Sequence, residues 1–412
     1  MAVLKCFSVV TLAIDGWTDH QKFAALAFTA VIPDGRAFLL KFERLWERET
    51  GLFISSAINS VIASLKEDGI SVSGVVGDNA KNVQKGIELT LPSNVIQLNC
   101  LTHSLNLLIK DLAELFKSQF EQCAQTEEFF RNRHEPHVAY EGARETLKGT
   151  MLIASGETRW ASQIACVGSM LKNRQVVENA VLQLRSQKYS FKGAELMWIW
   201  ATDWWNTLEG VHLAFEPLKL LIETLQADSV SLGRAIELLI PVLKQVPESI
   251  KCFAPGDFAA ASRLVTERNA LFFRAEAVVA NIFHHRCRGA GLPAEVRSAA
   301  LQKIPSMAHA LNVQPPDLQE LLDYMQCRGQ FVGVSSLACR SFDVWSSLFP
   351  KSSLSPLGRM FAALPCSQNS VERVFSAADW ATDNRERLGF AKLACEVFLR
   401  FNLLRLNASP ML

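Results

Sequence analysis

The first 120 residues alternate between short apolar runs and stretches with helical spacing. Apolar and β-branched runs bounded by turn residues predict strands, and apolar residues at i, i+3 and i+4 predict helices. The predicted strands are 5–14, 23–32, 37–45, 72–76 and 95–98, and the predicted helices are 52–66, 83–89 and 103–120. Because Pro33-Asp34-Gly35 is a hairpin signal, the first three strands are expected to be antiparallel neighbours. The order β-β-β-α-β-α-β-α predicts a mixed sheet in an α/β fold.

The pattern changes to long helical periodicities after this region. Residues 121–355 show few strand signals, and a last pair of helices is predicted over 370–380 and 388–404. We therefore expect three segments: a sheet-containing core at 1–120, an all-α region at 121–355, and the closing helices at 356–412.

Composition narrows the class of protein. With 49% hydrophobic residues the chain can bury a large core, while 42 Lys and Arg balance 41 Asp and Glu. This near-neutral charge counts against a protein that binds DNA without help from another module, because DNA-binding proteins usually carry a basic excess or a basic patch. Ten scattered cysteines without a C-x-x-C pair predict a reducing intracellular compartment. The apolar opening meets Asp15 too early for a membrane span, so no membrane partner is expected. It also begins so close to the first predicted strand that we expect an upstream segment to have been lost.

Three acidic residues are candidates for chemistry, and each has a structural alternative. Asp15 and Asp78 follow predicted strands, and Glu372 lies in the first turn of a late helix. Sites in α/β sheets form at the carboxyl ends of adjacent strands, so we expect Asp15 and Asp78 to meet. Alternatively, Asp15 is a strand-ending turn residue, Asp78 or Asn79 is a helix cap, and Glu372 complements the helix dipole.

The three acids together suit a metal-dependent phosphoryl transfer site. Such chemistry needs several carboxylates around two Mg²⁺ or Mn²⁺ ions, which prefer oxygen ligands. Spacing along the chain does not establish this site by itself.

Five motifs occur in the order found in the hAT superfamily of DNA transposases, which the chain therefore resembles. They are IDGWTD (14–19), VVGDNAKN (75–82), CLTH (100–103), TRW (158–160) and SQNSVERVFSAA (367–378). The resemblance covers nearly the whole chain, and its motifs are specific only in combination.

The resemblance implies a ribonuclease H-like core interrupted by a large all-α insertion domain. It implies that Asp15, Asp78 and Glu372 are the catalytic and metal-binding triad, with Mg²⁺ or Mn²⁺ as the cofactor. The partner would be DNA, and no small-molecule substrate would be expected. The protein would act in the nucleus. Its C-terminal segment would form a homodimer or a larger homo-oligomer. That segment could instead be a terminal helix packed on its own domain.

Three further residues receive a DNA-binding role from the resemblance. His103 would orient DNA or a water molecule, Trp160 would stack on an unpaired base, and the adjacent Arg159 would contact phosphate. The alternatives are a buried cysteine, Cys100, beside a helix-opening histidine, and a tryptophan that packs in the core. Cys100 and His103 lack the second pair of ligands that a zinc site needs.

The chain also departs from the family. The zinc-binding finger expected before the first catalytic strand is missing, Gly77 replaces the usual Thr or Ser, and Val344-Trp345 replaces a frequent Trp pair. Two functions therefore remain open: a transposase-type nuclease and strand transferase, or a non-catalytic transposase-derived protein acting by dimerisation or by DNA or protein binding. An unrelated α/β binding module is the third alternative.

Overall fold

The computed structural model describes residues 2–7, 9–18, 24–46, 50–90, 95–156, 160–382 and 389–406. The fold is mixed α/β, with one five-stranded mixed sheet and many helices. The strands are β1 (Val9–Thr18), β2 (Ala24–Val31), β3 (Ala37–Leu45), β4 (Ser71–Gly77) and β5 (Ile96–Asn99).

The helices are numbered in chain order. The first nine are α1 (Ala2–Lys5), α2 (Gly51–Glu67), α3 (Lys81–Thr90), α4 (Leu101–Ala113), α5 (Lys117–Asn132), α6 (His134–Leu147), α7 (Trp160–Lys172), α8 (Arg174–Ser186) and α9 (Thr202–Leu225). They are followed by α10 (Leu232–Phe253), α11 (Phe258–Phe272), α12 (Ala275–Phe283), α13 (Ala294–Ala310), α14 (Leu318–Met325), α15 (Ser341–Asp343), α16 (Ser355–Ala362), α17 (Asn369–Thr382) and α18 (Phe390–Leu406).

The sheet has the order β3-β2-β1-β4-β5. β1, β2 and β3 are antiparallel neighbours, and β4 and β5 run parallel to β1. The predicted hairpin is confirmed, because the Gly35 N–H donates to the Ile32 carbonyl at 2.9 Å and Gly35 has a φ of +92°. That positive φ explains the glycine at this position.

The prediction for the first strand was wrong at both ends. Residues Ala2–Lys5 form a short helix, and β1 begins at Val9 and continues through Asp15 to Thr18. The extension has a physical reason, since antiparallel pairing with β2 persists as far as Thr18 opposite Ala24. Asp15 therefore lies within a strand rather than at its end.

The chain divides into two compact units. The first comprises Met1–Ser104, Thr224–Ile240 and Ala270–Leu412, and the second comprises Leu105–Glu223 and Pro241–Asn269. Residues 270–355, predicted as part of the all-α region, thus group with the sheet. The described part of 121–355 forms helices, turns and one end of an isolated bridge between Ser231 and Pro365.

The first unit has a layer of helices on each face of its sheet. On one face, Leu12 and Ile14 of β1 belong to a buried apolar cluster with Ile54 and Ile58 of α2 and Ile87 of α3. Side chains alternate between the faces of a strand, so Ala13, Asp15 and Trp17 point to the opposite face.

On that opposite face, α17 and α18 pack against the sheet. The Trp17 Nε1–H donates to Asp379 of α17 at 3.0 Å, and the Asn402 amide of α18 bonds both the N–H and the carbonyl of Leu39 on edge strand β3. Helices α17 and α18 match the two predicted at the C-terminal end of the chain.

The second unit is helical in its described residues. Trp205 is buried in it and donates to the Ile199 carbonyl at 2.8 Å, and Trp204 donates to the Gln122 side chain. These contacts pack both tryptophans among the helices of the second unit.

Candidate active site

Asp15 and Asp78 are brought side by side by the parallel pairing of β1 with β4. The last paired residues are Ala13 and Val76, and the two aspartates each lie two residues further along. Neighbouring strands are about 4.8 Å apart. The expectation that these residues meet at one edge of the sheet is therefore supported by the strand register.

The two aspartates also share a face of the sheet. A Cβ added to Gly77 would lie 2.7 Å from Val83 and 3.0 Å from Ile87 of α3, so Gly77 faces α3. Because successive side chains alternate, Asp78 points to the opposite face of the sheet. This is the face that α17 covers and to which Asp15 also points. The close approach of α3 leaves no room for a Cβ at Gly77.

Each aspartate uses one carboxylate oxygen to order its own backbone. The Gly16 N–H donates to Asp15 Oδ1 at 2.9 Å, and the Ala80 N–H donates to Asp78 Oδ1 at 3.0 Å. The second bond is an Asx turn that precedes α3, which begins at Lys81, so the Asp78 carboxylate orders the approach to the helix and does not bond an N–H group within it. The other oxygen of each carboxylate accepts no hydrogen bond from a described residue, which leaves one oxygen per aspartate for a ligand.

Glu372 approaches the aspartates from α17. Glu372, Phe375 and Asp379 follow one another at i, i+3 and i+7, so they lie along one stripe of the helix. Phe375 stacks on Trp17 with ring centroids 6.3 Å apart, and Asp379 accepts the Trp17 indole bond. The same stripe turns Glu372 towards the part of β1 that precedes Trp17, which is where Asp15 lies.

The electrostatics of Asp15 reflect this crowding of acids. Burial, followed by the negative charge of Asp78, raises its pKa to about 7, and Glu372 adds a smaller effect in the same direction. His103 and the Gly16 N–H oppose the rise. A carboxyl group whose pKa lies near neutrality because of neighbouring acids is typical of functional sites.

His103 supplies positive charge at the same place. Its pKa is raised to about 9 by the Cys100 side chain, against the effect of burial, and further by the charges of Asp15 and Asp78. Since a neutral thiol is a weak hydrogen-bonding group, the carboxylates are the stronger reason for a charged imidazole. Cys100 is fully buried and contacts the Thr102 hydroxyl at 3.0 Å, which favours the buried-cysteine interpretation over a zinc half-site.

A polar network that was not predicted from the sequence supports the Asp78 loop. Asn79 donates to the Ser104 hydroxyl at 3.0 Å, and Ser104 donates to the Cys100 carbonyl. Asn99 accepts a bond from Arg274 at 3.1 Å and donates to the Leu271 carbonyl. Asn79 and Asn99 each directly follow a residue already noticed at a strand end, so a search for amides there would have found them; nothing in the sequence pointed to Arg274.

Several buried polar atoms near the acids lack a partner among the described residues. They are His103 Nδ1, both polar atoms of the Gln368 side chain, and Asn369 Nδ2. Asn369 is tied to the first turn of α4 by a bond from Thr102 at 3.4 Å. Buried polar groups are normally satisfied by protein or water, so these atoms are candidates for bonds to water or to ligand atoms.

The three acids meet only part of what a binding site for a hard divalent cation requires. Among the described residues, no group of three or more His, Cys, Asp and Glu side chains is arranged to hold a metal ion. Mg²⁺, however, is commonly held by one or two carboxylates together with water. The free oxygens of Asp15 and Asp78 meet that requirement, with Glu372 nearby but not a demonstrated ligand.

The DNA-binding candidates of the second unit have a different setting. Trp160 begins α7 and meets Phe120 edge to face at 5.9 Å. It lines a cavity of about 460 Å³ with four glutamates, Glu114, Glu121, Glu127 and Glu128, and with two cations, Lys117 and Arg131. The cations pair with Glu114 and Glu127, so the lining keeps a small acidic excess that disfavours phosphate. The contact with Phe120 supports the packed-tryptophan interpretation. Arg159 lies outside the described residues.

The C-terminal helix α18 has a buried side and an exposed apolar side. Val397 and Phe401 are buried in the first unit, whereas Leu399, Leu403 and Leu404 are more than half exposed. Part of the apolar sequence thus packs α18 on its own unit, and part remains at the surface.

Comparison with known proteins adds no assignment. No protein-family model matches the chain, and no curated protein sequence matches it either. Within the described residues, no helix combines the length and the apolar character that a membrane crossing requires.

Proposed function

We propose that this protein is a hAT transposase-like enzyme that cleaves and transfers DNA strands at Asp15, Asp78 and Glu372. The observation that carries the proposal is the in-register placement of Asp15 beside Asp78, with Glu372 near enough to raise the pKa of Asp15. Three acids drawn together from distant parts of the chain repel one another, so their convergence favours a site that binds a cationic ligand.

The sheet supports a ribonuclease H-like core. Three antiparallel strands are followed by two strands parallel to the first, with one acid on β1, one after β4 and one on a late helix. The residues between β5 and α17 are predominantly helical, as the resemblance to hAT transposases implies for an insertion.

The chemistry would be a pair of phosphodiester substitutions. In cleavage, water adds to phosphorus, the bond to the 3′ oxygen breaks, and a 3′-hydroxyl and a 5′-phosphate result. In transfer, the freed 3′-hydroxyl adds to the phosphorus of a second phosphodiester, whose bond to its own 3′ oxygen breaks and releases a new 3′-hydroxyl. A divalent cation bound at the acids would lower the pKa of the attacking water or hydroxyl and offset phosphate charge. Asp15 and Asp78 would bind that cation through their free oxygens, and charged His103 would attract a phosphate oxygen.

A nicking assay on supercoiled plasmid with Mn²⁺ tests the proposal. Asp78→Asn keeps the acceptor for the Ala80 N–H but removes the charge, so we expect loss of nicking by about 100-fold or more. Asp203→Asn, at an exposed position in the first turn of α9, is the matched control and should retain activity. Wild-type protein without any nicking, or equal nicking by both variants, would contradict the proposal.

The second candidate is a non-catalytic transposase-derived protein that acts as a dimer. The exposed leucines of α18 favour it. Sedimentation should show a dimer that the double variant Leu399→Gln, Leu403→Gln dissociates, while Leu52→Gln, at an exposed position of α2, leaves it intact. A dimer without nicking would select this candidate, and a monomer would remove its structural basis.

A further inference from the structure

A recessed cavity of about 320 Å³ lies in the first unit, away from the three acids. Its walls are the β2–β3 turn and the segments 228–231, 284–286, 338–342 and 362–365, together with Arg234 of α10; we call it the arginine pocket. β2 reaches it at Val31, which pairs with Thr11 of β1. Asp15 lies four residues further along β1, about 13 Å at the usual rise per residue. The arginine pocket and the acids therefore lie at opposite ends of the sheet.

The lining of the arginine pocket has more cations than free anions. Arg234, Arg286 and Arg340 line it, and so do Asp34 and Asp228. Both acids are already paired with arginines that are not part of the lining. Arg36 binds Asp34 at 2.7 Å, and Arg373 binds Asp228. The positive charge of the lining is therefore not neutralised by its own carboxylates.

Arg234 adds to the positive end of a helix. It lies in the first turn of α10, which contains no acidic residue. A helix N-terminus carries a partial positive charge, so a cation there is unfavourable and an anion favourable. Arg234 is exposed, contacts the Cys287 thiol and forms no ion pair with a described residue. Since a neutral thiol does not offset its charge, that charge is available to a ligand in the pocket.

Arg340 and Arg286 also retain donors. Arg340 binds Asp343 through Nε at 2.9 Å, while its Nη1 is buried without a partner among the described residues. Arg286 donates to the Leu337 carbonyl at 3.0 Å and forms no ion pair within the described chain. A buried guanidinium nitrogen without an acceptor is costly, so a ligand oxygen there would be stabilising.

The neighbouring histidines respond to the same charge. Burial, and then the proximity of His285, Arg234, Arg286 and Arg288, lowers the pKa of His284 to about 3. His285 is held by the Ser341 hydroxyl at 2.7 Å and the Leu337 carbonyl at 3.2 Å. His284 is therefore a neutral group beside the arginines, and His285 is a structural one.

We infer that the arginine pocket binds a small phosphate-bearing anion of the size of a diphosphate or a nucleoside diphosphate. The volume lies at the lower end of the range for ligand pockets, and arginine forks match phosphate oxygens. The recessed shape favours a small molecule over the backbone of a DNA duplex, which needs an open basic surface. This ligand is separate from the DNA substrate of the proposed function, so either proposal can fail alone.

Calorimetric titration of the full chain with inorganic pyrophosphate tests the inference. We expect saturable binding of one pyrophosphate per chain, weakened about tenfold by Arg234→Gln and by Arg286→Gln. Arg359→Gln, at an exposed position of α16 outside the pocket, removes the same charge and should leave the affinity unchanged. Because Arg234 and Arg286 are exposed, the unfolding midpoints without ligand should agree among all proteins.

Three results would overturn the inference. They are absence of pyrophosphate binding by the wild type, equal weakening by Arg359→Gln, and affinity that survives Arg234→Gln. Binding of a short DNA duplex to the same proteins is the remaining measurement. If Arg234→Gln weakens binding of the duplex while pyrophosphate neither binds nor competes, the phosphate comes from DNA and the small-anion assignment is wrong.

Discussion

The two ends of the central sheet carry excess charges of opposite sign, which their surroundings neutralise only in part. At the end where β1 and β4 stop pairing, Asp15 and Asp78 lie together with Glu372 nearby, and His103 is the cation that offsets them. At the other end, Arg234, Arg286 and Arg340 line the arginine pocket, whose acids are occupied by other arginines.

This contrast shows why the overall charge was uninformative. A net charge of +1 describes the sum over the chain, whereas a binding site depends on charge that remains unpaired in one place. Two such concentrations of opposite sign are the basis of the two proposals, a cation at the acids and an anion at the arginines.

The largest expected effects appear when nicking and pyrophosphate binding are both measured in one variant from each end of the sheet. Asp15→Asn should reduce Mn²⁺-dependent nicking by about 100-fold or more and leave pyrophosphate affinity unchanged. Arg234→Gln should weaken pyrophosphate binding and leave nicking unchanged, because it lies at the opposite end of the sheet. Plasmid nicking and calorimetry on the same preparations measure both.

A variant that impaired both readouts would contradict the independence of the two ends. It would mean that substitution at one end disturbs the whole unit, or that one ligand controls the other site. Equal unfolding midpoints would exclude the first explanation.

The pH dependence of the effect of Asp15→Asn on stability probes the acidic end. The pKa of Asp15 is about 7 in the folded protein and 3.8 as the ordinary value, so its carboxyl group binds more protons in the folded state between these limits. The contribution of Asp15 to stability should therefore fall as pH rises from about 4 to 7, and the loss should be complete by pH 8. Asp15→Asn removes this penalty, so its advantage over wild type should grow between pH 5 and pH 8 by up to about 3 kcal/mol.

Denaturant unfolding in the presence of a chelator measures this advantage. Asp203→Asn is the control and should follow the wild type at both pH values. Adding Mn²⁺ at pH 8 should stabilise the wild type and not Asp15→Asn, because a bound cation favours the ionised carboxyl group. An advantage that does not change with pH would show that Asp15 titrates normally.

The local parts of the fold were predictable from the sequence. Strands β2 and β3 begin and end within a residue of their predicted limits, because apolar runs and the Pro33-Asp34-Gly35 turn act over a few residues. The same short-range signals failed at β1, where an apolar run does not distinguish the helix Ala2–Lys5 from the strand that follows it.

The parts that depend on distant segments were less predictable. Asp15 and Asp78 could be expected to meet since strand order places them at one edge, but the free oxygens and the raised pKa of Asp15 depend on the three-dimensional arrangement of their neighbours. The arginine pocket had no signal at all. Its arginines come from segments separated by up to a hundred residues, and none belongs to a recognisable motif.

The smallest predicted effect concerns the packing that supports the acidic end. Gly77 directly precedes Asp78, and a Cβ there would lie 2.7 Å from Val83 Cγ1, closer than normal contact. Gly77→Ala should therefore destabilise the protein by about 1–3 kcal/mol through overpacking, and it should reduce nicking by displacing Asp78. Gly142→Ala is the matched control, because a Cβ on this α6 glycine meets no atom within 4 Å and should stabilise by about 0.5–1 kcal/mol. Pyrophosphate affinity should be unaffected by either change. If Gly77→Ala were as stable and as active as wild type, close contact with α3 would not be what positions Asp78.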